Sequence, residues 1–240
     1  MRSHPLMLAV SLSSLLAVTG AASAQPFSDA EVKAAIEAHN GNLHMHRLFG
    51  TCAVAFATQA DVFRFADYFW QMDNLAFTLA GTMVLRDAPE STREAAALSR
   101  EKWNRELDET FARLGDAGRL RFCQSFLNGK ESFTTIAPDA AKTLSPLFES
   151  RPQLRREKRN ADFTTGCMKR NFRIGGRVFD KAFTVCECQT KAITDHASDA
   201  DLDQWVRDLA DNPGNEVATL SRPWMQRALQ AIVACTVEKP

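Results

Sequence analysis

Apolar residues recur along this chain at intervals of three and four from about residue 28 to near the C-terminus, the period of an amphipathic helix. Ser28-x-x-Glu31 has the form of a capping box and predicts a helix start. Asn40-Gly41 has the form of a helix stop. The uncharged run Leu48 to Ala60 then reads as a buried helix. Val62, Phe65, Phe69, Leu75, Leu79 and Met83 keep helical spacing, which predicts one long core helix over 61–85, ended by Asp87-Ala88-Pro89. Ser91-x-x-Glu94 is a second capping-box pattern, and its helix should bury Trp103, Leu107, Phe111 and Leu114. The opposite face pairs Glu101 with Arg105 and Glu109 with Arg113 at i,i+4, as on a solvated helix.

A helix over 116–127 should present Leu120, Cys123 and Leu127 together, and Pro138 fits the first position of a helix reaching Phe148. Residues 149–160 change character, with Arg151, Arg155, Arg156, Lys158 and Arg159 and no aromatic residue. They read as a basic linker or charged helix, with Arg155, Arg156 and Arg159 as candidate contacts for an acidic partner. Four further helices are expected at 161–171, 177–196, 199–211 and 221–237, with Phe172 to Val178 as a loop and Asn212-Pro213-Gly214 as a stop. Ser198-Asp199 should cap the third, which should bury Leu202, Trp205, Val206 and Leu209, and the last should bury Met225, Ala228, Leu229 and Ile232. No strand with hairpin turn chemistry stands out. The expectation is an all-α protein: a disulfide-stapled bundle over 25–148, the linker 149–160, and a smaller Cys-rich helical module over 161–240.

The first 24 residues set the compartment. Arg2 is followed by the uncharged stretch Leu6 to Val18, and Ala22-Ser23-Ala24 is a small-x-small cleavage pattern, so residues 1–24 read as a cleaved signal peptide of bacterial type. Thirteen residues span only ~20 Å as a helix, short of a bilayer core. The expected location is the periplasm or the medium, with no membrane span left after cleavage. Six cysteines in an oxidising compartment then argue for three disulfides. Cys52 shares a face with Leu48 and Phe56, and Cys123 with Leu120 and Leu127, so Cys52–Cys123 is expected across two core helices. Residues i and i+2 of a helix lie ~200° apart, so Cys186 and Cys188 must each find another partner. The favoured pairing is Cys186–Cys235 with Cys167–Cys188; the alternative is Cys167–Cys186 with Cys188–Cys235.

Composition removes some function classes and supplies few. The chain has 29 basic and 29 acidic residues among 240, so it lacks the basic excess of a nucleic-acid binder. It has no G-x-S-x-G, H-E-x-x-H, phosphate loop, haem attachment or C-x-x-C motif. The aspartates from Asp195 to Asp203 lack the glycine and closing glutamate of a calcium loop and read as helix N-terminal charges. His39, His44 and His46, with Met45 between the last two, form a candidate copper or zinc site. Cys186-x-Cys188 as a redox pair is disfavoured by the neighbouring Glu187. The resulting expectation is a non-enzymatic exported protein that binds a protein partner in the cell envelope, such as an inhibitor, an immunity protein or an adaptor, without a cofactor. Trp70 and Trp224 are further candidate contacts. The alternatives are a periplasmic metal-binding protein, or a helical enzyme whose site, for instance around His39, His46 and Glu37, forms only in three dimensions.

Overall fold

A computed structural model describes residues 27–128, 132–174, 178–211 and 221–236. The leader 1–24 and the stop at Asn212-Pro213-Gly214 lie outside the described residues, as does the side chain of Leu209. Among the described residues the fold is all-α. Its helices are α1 (Asp29–Ala55), α2 (Ala60–Asp73), α3 (Leu75–Arg86), α4 (Glu90–Arg113), α5 (Asp116–Asn128), α6 (Phe133–Ile136), α7 (Pro138–Glu149), α8 (Pro152–Ile174), α9 (Phe179–His196), α10 (Asp199–Asp211) and α11 (Pro223–Thr236). None of them is long and apolar enough to cross a membrane.

The axis of the first bundle is α1. Its start is the capping box expected from sequence: Ser28 Oγ accepts from the Glu31 backbone N–H, and Glu31 accepts from the Ser28 N–H at 2.7 Å. Its length differs from expectation, because α1 runs straight through Asn40-Gly41. The reason is tertiary. Asn40 is buried and donates from Nδ2 to the Ala96 carbonyl of α4 at 2.8 Å, which holds it inside the helix. Beyond Asn40, α1 packs against two different cores. Its first half presents Ala34, Ala35 and Ala38 to α3 and α7. Here Gly81 of α3 lies so close that a Cβ on it would sit 3.2 Å from the Ala35 carbonyl oxygen. The second half presents Met45, Leu48, Phe49 and Cys52 to Phe63, Leu107 and Cys123.

The long helix expected over 61–85 is two helices, broken at Asn74. Asn74 is buried, donates from Nδ2 to the Trp70 carbonyl at 2.7 Å and accepts from the Phe133 N–H at 2.7 Å. A side chain that closes one helix and anchors the start of α6 competes directly with helix continuation. The second expected capping box also differs: Pro89 occupies the N-cap of α4, without a side-chain cap, and Ser91 already lies inside the helix. The helix starting at Pro138 is present, with proline in its first turn.

The basic segment 149–160 takes the charged-helix form of its sequence reading. Pro152 opens α8, which continues unbroken to Ile174, so the expected loop from Phe172 begins as helix. Leu154 of this segment is buried in the first core with Leu144 and Phe148. Farther along α8, Met168 packs with Phe65 of α2 and with Phe179, Ala182 and Cys186 of α9. A last cluster gathers Leu202, Trp224, Met225 and Ala228, with Phe163, Ile193 and Trp205 against it. Ser198 caps α10 as expected, in a reciprocal arrangement with Asp201.

The three expected disulfides are present, and one was paired correctly from sequence. Cys52–Cys123 joins α1 to α5, with Cα atoms 5.8 Å apart. The other two follow the alternative pairing, Cys167–Cys186 and Cys188–Cys235. The favoured pairing failed because it assigned the apolar face of α9 to the wrong neighbour. That face, with Phe179, Ala182 and Cys186, is covered by α8 and α2. The opposite side, with Cys188, faces α11. No disulfide joins a cysteine before residue 150 to one after it.

Candidate functional site

The three histidines of the candidate metal site fall on one continuous helix, and the helix disperses them. His39 and His46 are seven residues apart, hence ~10 Å along the axis. His44 is ~200° around from His46. Metal–nitrogen bonds of ~2 Å cannot bridge such spacings. Among the described residues no group of three His, Cys, Asp or Glu side chains is arranged to hold a metal. Each imidazole has its own surroundings. His39 is shifted below its usual range by burial and, secondarily, by Arg100. His46 is shifted upward, chiefly because its Nδ1 lies 2.6 Å from Asp67 Oδ2, and Gln71 of the same helix also reaches it. Glu37, the carboxylate nearest His39 in sequence, lies 4.0 Å from Lys33, one turn earlier.

His44 lines a cleft. This cleft, of about 470 Å³, lies between α1, α4 and α5. Leu48 and Leu107, both buried, form its floor. Its walls are His44, Trp103, Phe122 and Phe126, and Glu106 and Thr110 complete the lining. The Trp103 ring meets His44 edge-on at 5.8 Å, and Phe122 meets Phe126 edge-on at 5.2 Å. Burial pushes the His44 imidazole below its usual range, more than Glu106 raises it, so it is neutral at pH 7. Its Nδ1 is buried without a hydrogen-bond partner. Glu106 lies 4.0 Å from Lys102, both side chains largely exposed.

A second feature is an aromatic cluster where α2, α8 and α9 meet. Phe65 lies 5.0 Å from both Phe172 and Phe179, Phe69 lies 5.9 Å from Phe172, and Tyr68 meets Phe183 at 5.7 Å. Burial, the dominant influence, pushes the Tyr68 hydroxyl up to about 12, and that hydroxyl lies 3.3 Å from Thr165 Oγ1. The cluster reaches the surface at Phe172, which is 45% exposed, and beside Phe179 at Val178, which is 47% exposed. Around it stand charged pairs. Arg64 bridges Asp61 and Asp180, while Lys169 lies over the Phe69 ring and 3.4 Å from Asp73.

The basic residues proposed as partner contacts are engaged inside the molecule. Arg159 is nearly buried and reaches Asp199 at 2.7 Å and Asp203 at 2.6 Å. Arg156 reaches the other Asp199 oxygen at 2.8 Å, and Arg155 donates to the Glu149 carbonyl. Arg156 and Arg159 together clamp α8 onto the acidic N-terminus of α10, whereas Arg155 reaches back to the end of α7. Trp224 is buried in the last cluster, and Trp70 is half-buried against the second core. Neither the cleft nor the Phe172 face was singled out from sequence. The available signals were Glu106 and Thr110 on the same face as Trp103 and Leu107, and Phe172 in helical register with Met168. No known protein family, curated protein or solved structure matches this chain.

Proposed function

We propose that the chain is an exported, disulfide-stapled helical binding protein that docks a protein partner of the cell envelope through the Phe172 face. The observation that carries this reading is the exposed Phe172, with exposed Val178 next to Phe179, continuous with a packed aromatic cluster and flanked by ion pairs. Aromatic anchors held in place by packing, inside a charged rim, are the anatomy of protein interfaces. An inhibitor, an immunity protein or an adaptor would use such a face. Residues 1–24 would deliver the chain to the periplasm or the medium, where the three disulfides are stable.

Two measurements test the proposal. Amino-terminal sequencing of the secreted protein should give Gln25 as its first residue; a functional soluble protein retaining Met1 would remove the export argument. Affinity capture from the native envelope should recover a specific partner with the wild-type chain and with Leu98→Asp, an exposed position elsewhere, but not with Phe172→Asp. Retention of the partner by a folded Phe172→Asp variant would refute the assignment of the face.

A further inference from the structure

The geometry points to the cleft between α1, α4 and α5 as a binding site for an apolar organic cation, an alkyl- or arylammonium. Its volume of about 470 Å³ falls in the range of small-molecule sites. The lining is apolar and aromatic except for three groups. Glu106 supplies a negative charge, Thr110 a hydroxyl, and His44 an imidazole kept neutral by burial. Among the described residues no lysine or arginine lines the cleft. Arg47, the nearest cation on α1, is turned to Asp108 at 2.6 Å. Lys102 touches Glu106 only at 4.0 Å from an exposed position, a weak pair that a ligand cation can replace. An anion would meet the Glu106 carboxylate without a compensating charge. A neutral apolar molecule would leave that carboxylate unused. A cation with an apolar body uses both the aromatic walls, whose ring faces attract positive charge, and the carboxylate.

The cleft is held open by construction. Cys52 lies one turn after Leu48 on α1, and Cys123 follows Phe122 on α5, so the Cys52–Cys123 bridge fixes the two walls relative to each other. Phe111 packs against Phe122 from α4, at 6.3 Å. A preformed site avoids the ordering cost that a collapsed one would add to binding.

The test compares phenethylammonium with 2-phenylethanol, a neutral analogue of nearly the same shape, by calorimetric titration of the mature chain at pH 7. Phenethylammonium should bind at least tenfold more tightly than the alcohol. Glu106→Gln should abolish that preference while leaving the alcohol's affinity unchanged. Trp103→Leu should weaken both ligands, and the circular dichroism of each variant reports whether it remains folded. Equal affinity for the two ligands, no binding of either, or a preference that survives Glu106→Gln would overturn the proposal. None of these outcomes bears on the Phe172 face, which lies on α2, α8 and α9 and shares no residue with the cleft.

Discussion

Removing the Cys188–Cys235 bridge by the double substitution Cys188→Ser with Cys235→Ser should release the C-terminal helices without dissolving the rest of the fold. The two cysteines are 47 residues apart in sequence. Closing a loop of that length restricts the unfolded chain by about 4 kcal/mol on the chain-entropy account. Whole small proteins are stable by only about 5–15 kcal/mol, so this loss is a large share for one segment. Without that bridge, α10 and α11 are held by the cluster of Leu202, Trp224, Met225 and Ala228 with the side chains packed against it, by the Arg156 and Arg159 clamp on Asp199, and by the Arg222–Asp208 pair. By contrast, α9 keeps its own anchors: Cys186 is bridged to Cys167 of α8, and Phe179 and Ala182 are buried beside Phe65 and Met168. Hydrogen exchange read by mass spectrometry should therefore show early exchange across α10 and α11 in the variant. Protection should persist across α1, α3, α8 and the first half of α9. Trp205 and Trp224, whose rings meet at 5.4 Å, should report the same opening in fluorescence at lower urea than the global transition. A single cooperative transition with uniform loss of protection would refute the reasoning, as would unchanged protection in α11. Non-reducing peptide mapping of the wild-type chain must also return Cys188–Cys235, since a Cys186–Cys235 peptide would contradict the packing of α9.

Three further outcomes follow from individual residues. Asn74→Ala should cost about 2–4 kcal/mol in chemical denaturation, because the buried Phe133 N–H loses its acceptor and a second hydrogen bond to Trp70 is lost; a change under 1 kcal/mol would show that water replaces the side chain. Gly81→Leu should destabilise by at least 1–3 kcal/mol through overpacking against Ala35 and Ala38, with Gly81→Ala milder, since only the Ala35 carbonyl at 3.2 Å must yield; equal melting temperatures for both variants and wild type would exclude the close approach of α1 and α3. His46→Gln should make stability fall more steeply as pH drops from 7 to 5. The raised pKa of His46 means that its bond to Asp67 is fully present below the unfolded value near 6.5 and is lost as pH rises through the folded value, whereas the lowered values of His39 and His44 act in the opposite sense. The His46 contribution should stay below about 1 kcal/mol because the pair is half exposed, and identical pH profiles for variant and wild type would refute it.

Local signals were legible in the sequence wherever the determining contacts are themselves local. The Ser28 and Ser198 caps, Pro138 in a first turn and the 116–127 helix depend on residues three or four positions apart, and each is found close to its expected place. The misreadings share a different cause. Asn40 resembles a helix terminator until Ala96, 56 residues away, takes its amide. Asn74 looks like an ordinary helical position until Phe133, 59 residues away, supplies the N–H that makes a break favourable.

The same division explains why the sites were harder to see than the helices. Residues i and i+2 of one helix cannot bridge, and Cys186 and Cys188 do not; which neighbour covers which face of α9 depends instead on how α8 and α11 approach from opposite sides. The cleft has the same character at a larger scale. Trp103, Glu106, Leu107 and Thr110 recur at helical spacing and read simply as one face of α4. That face becomes a concave site only because the break before α5 lets Phe122 and Phe126 turn back toward α1, where the Cys52–Cys123 bridge locks them. Glu106 and Thr110 on an apolar face that carries Trp103 are therefore the trace the cleft leaves in the sequence. Its reading as solvated or ligand-facing depended on a helix more than ten residues farther along the chain.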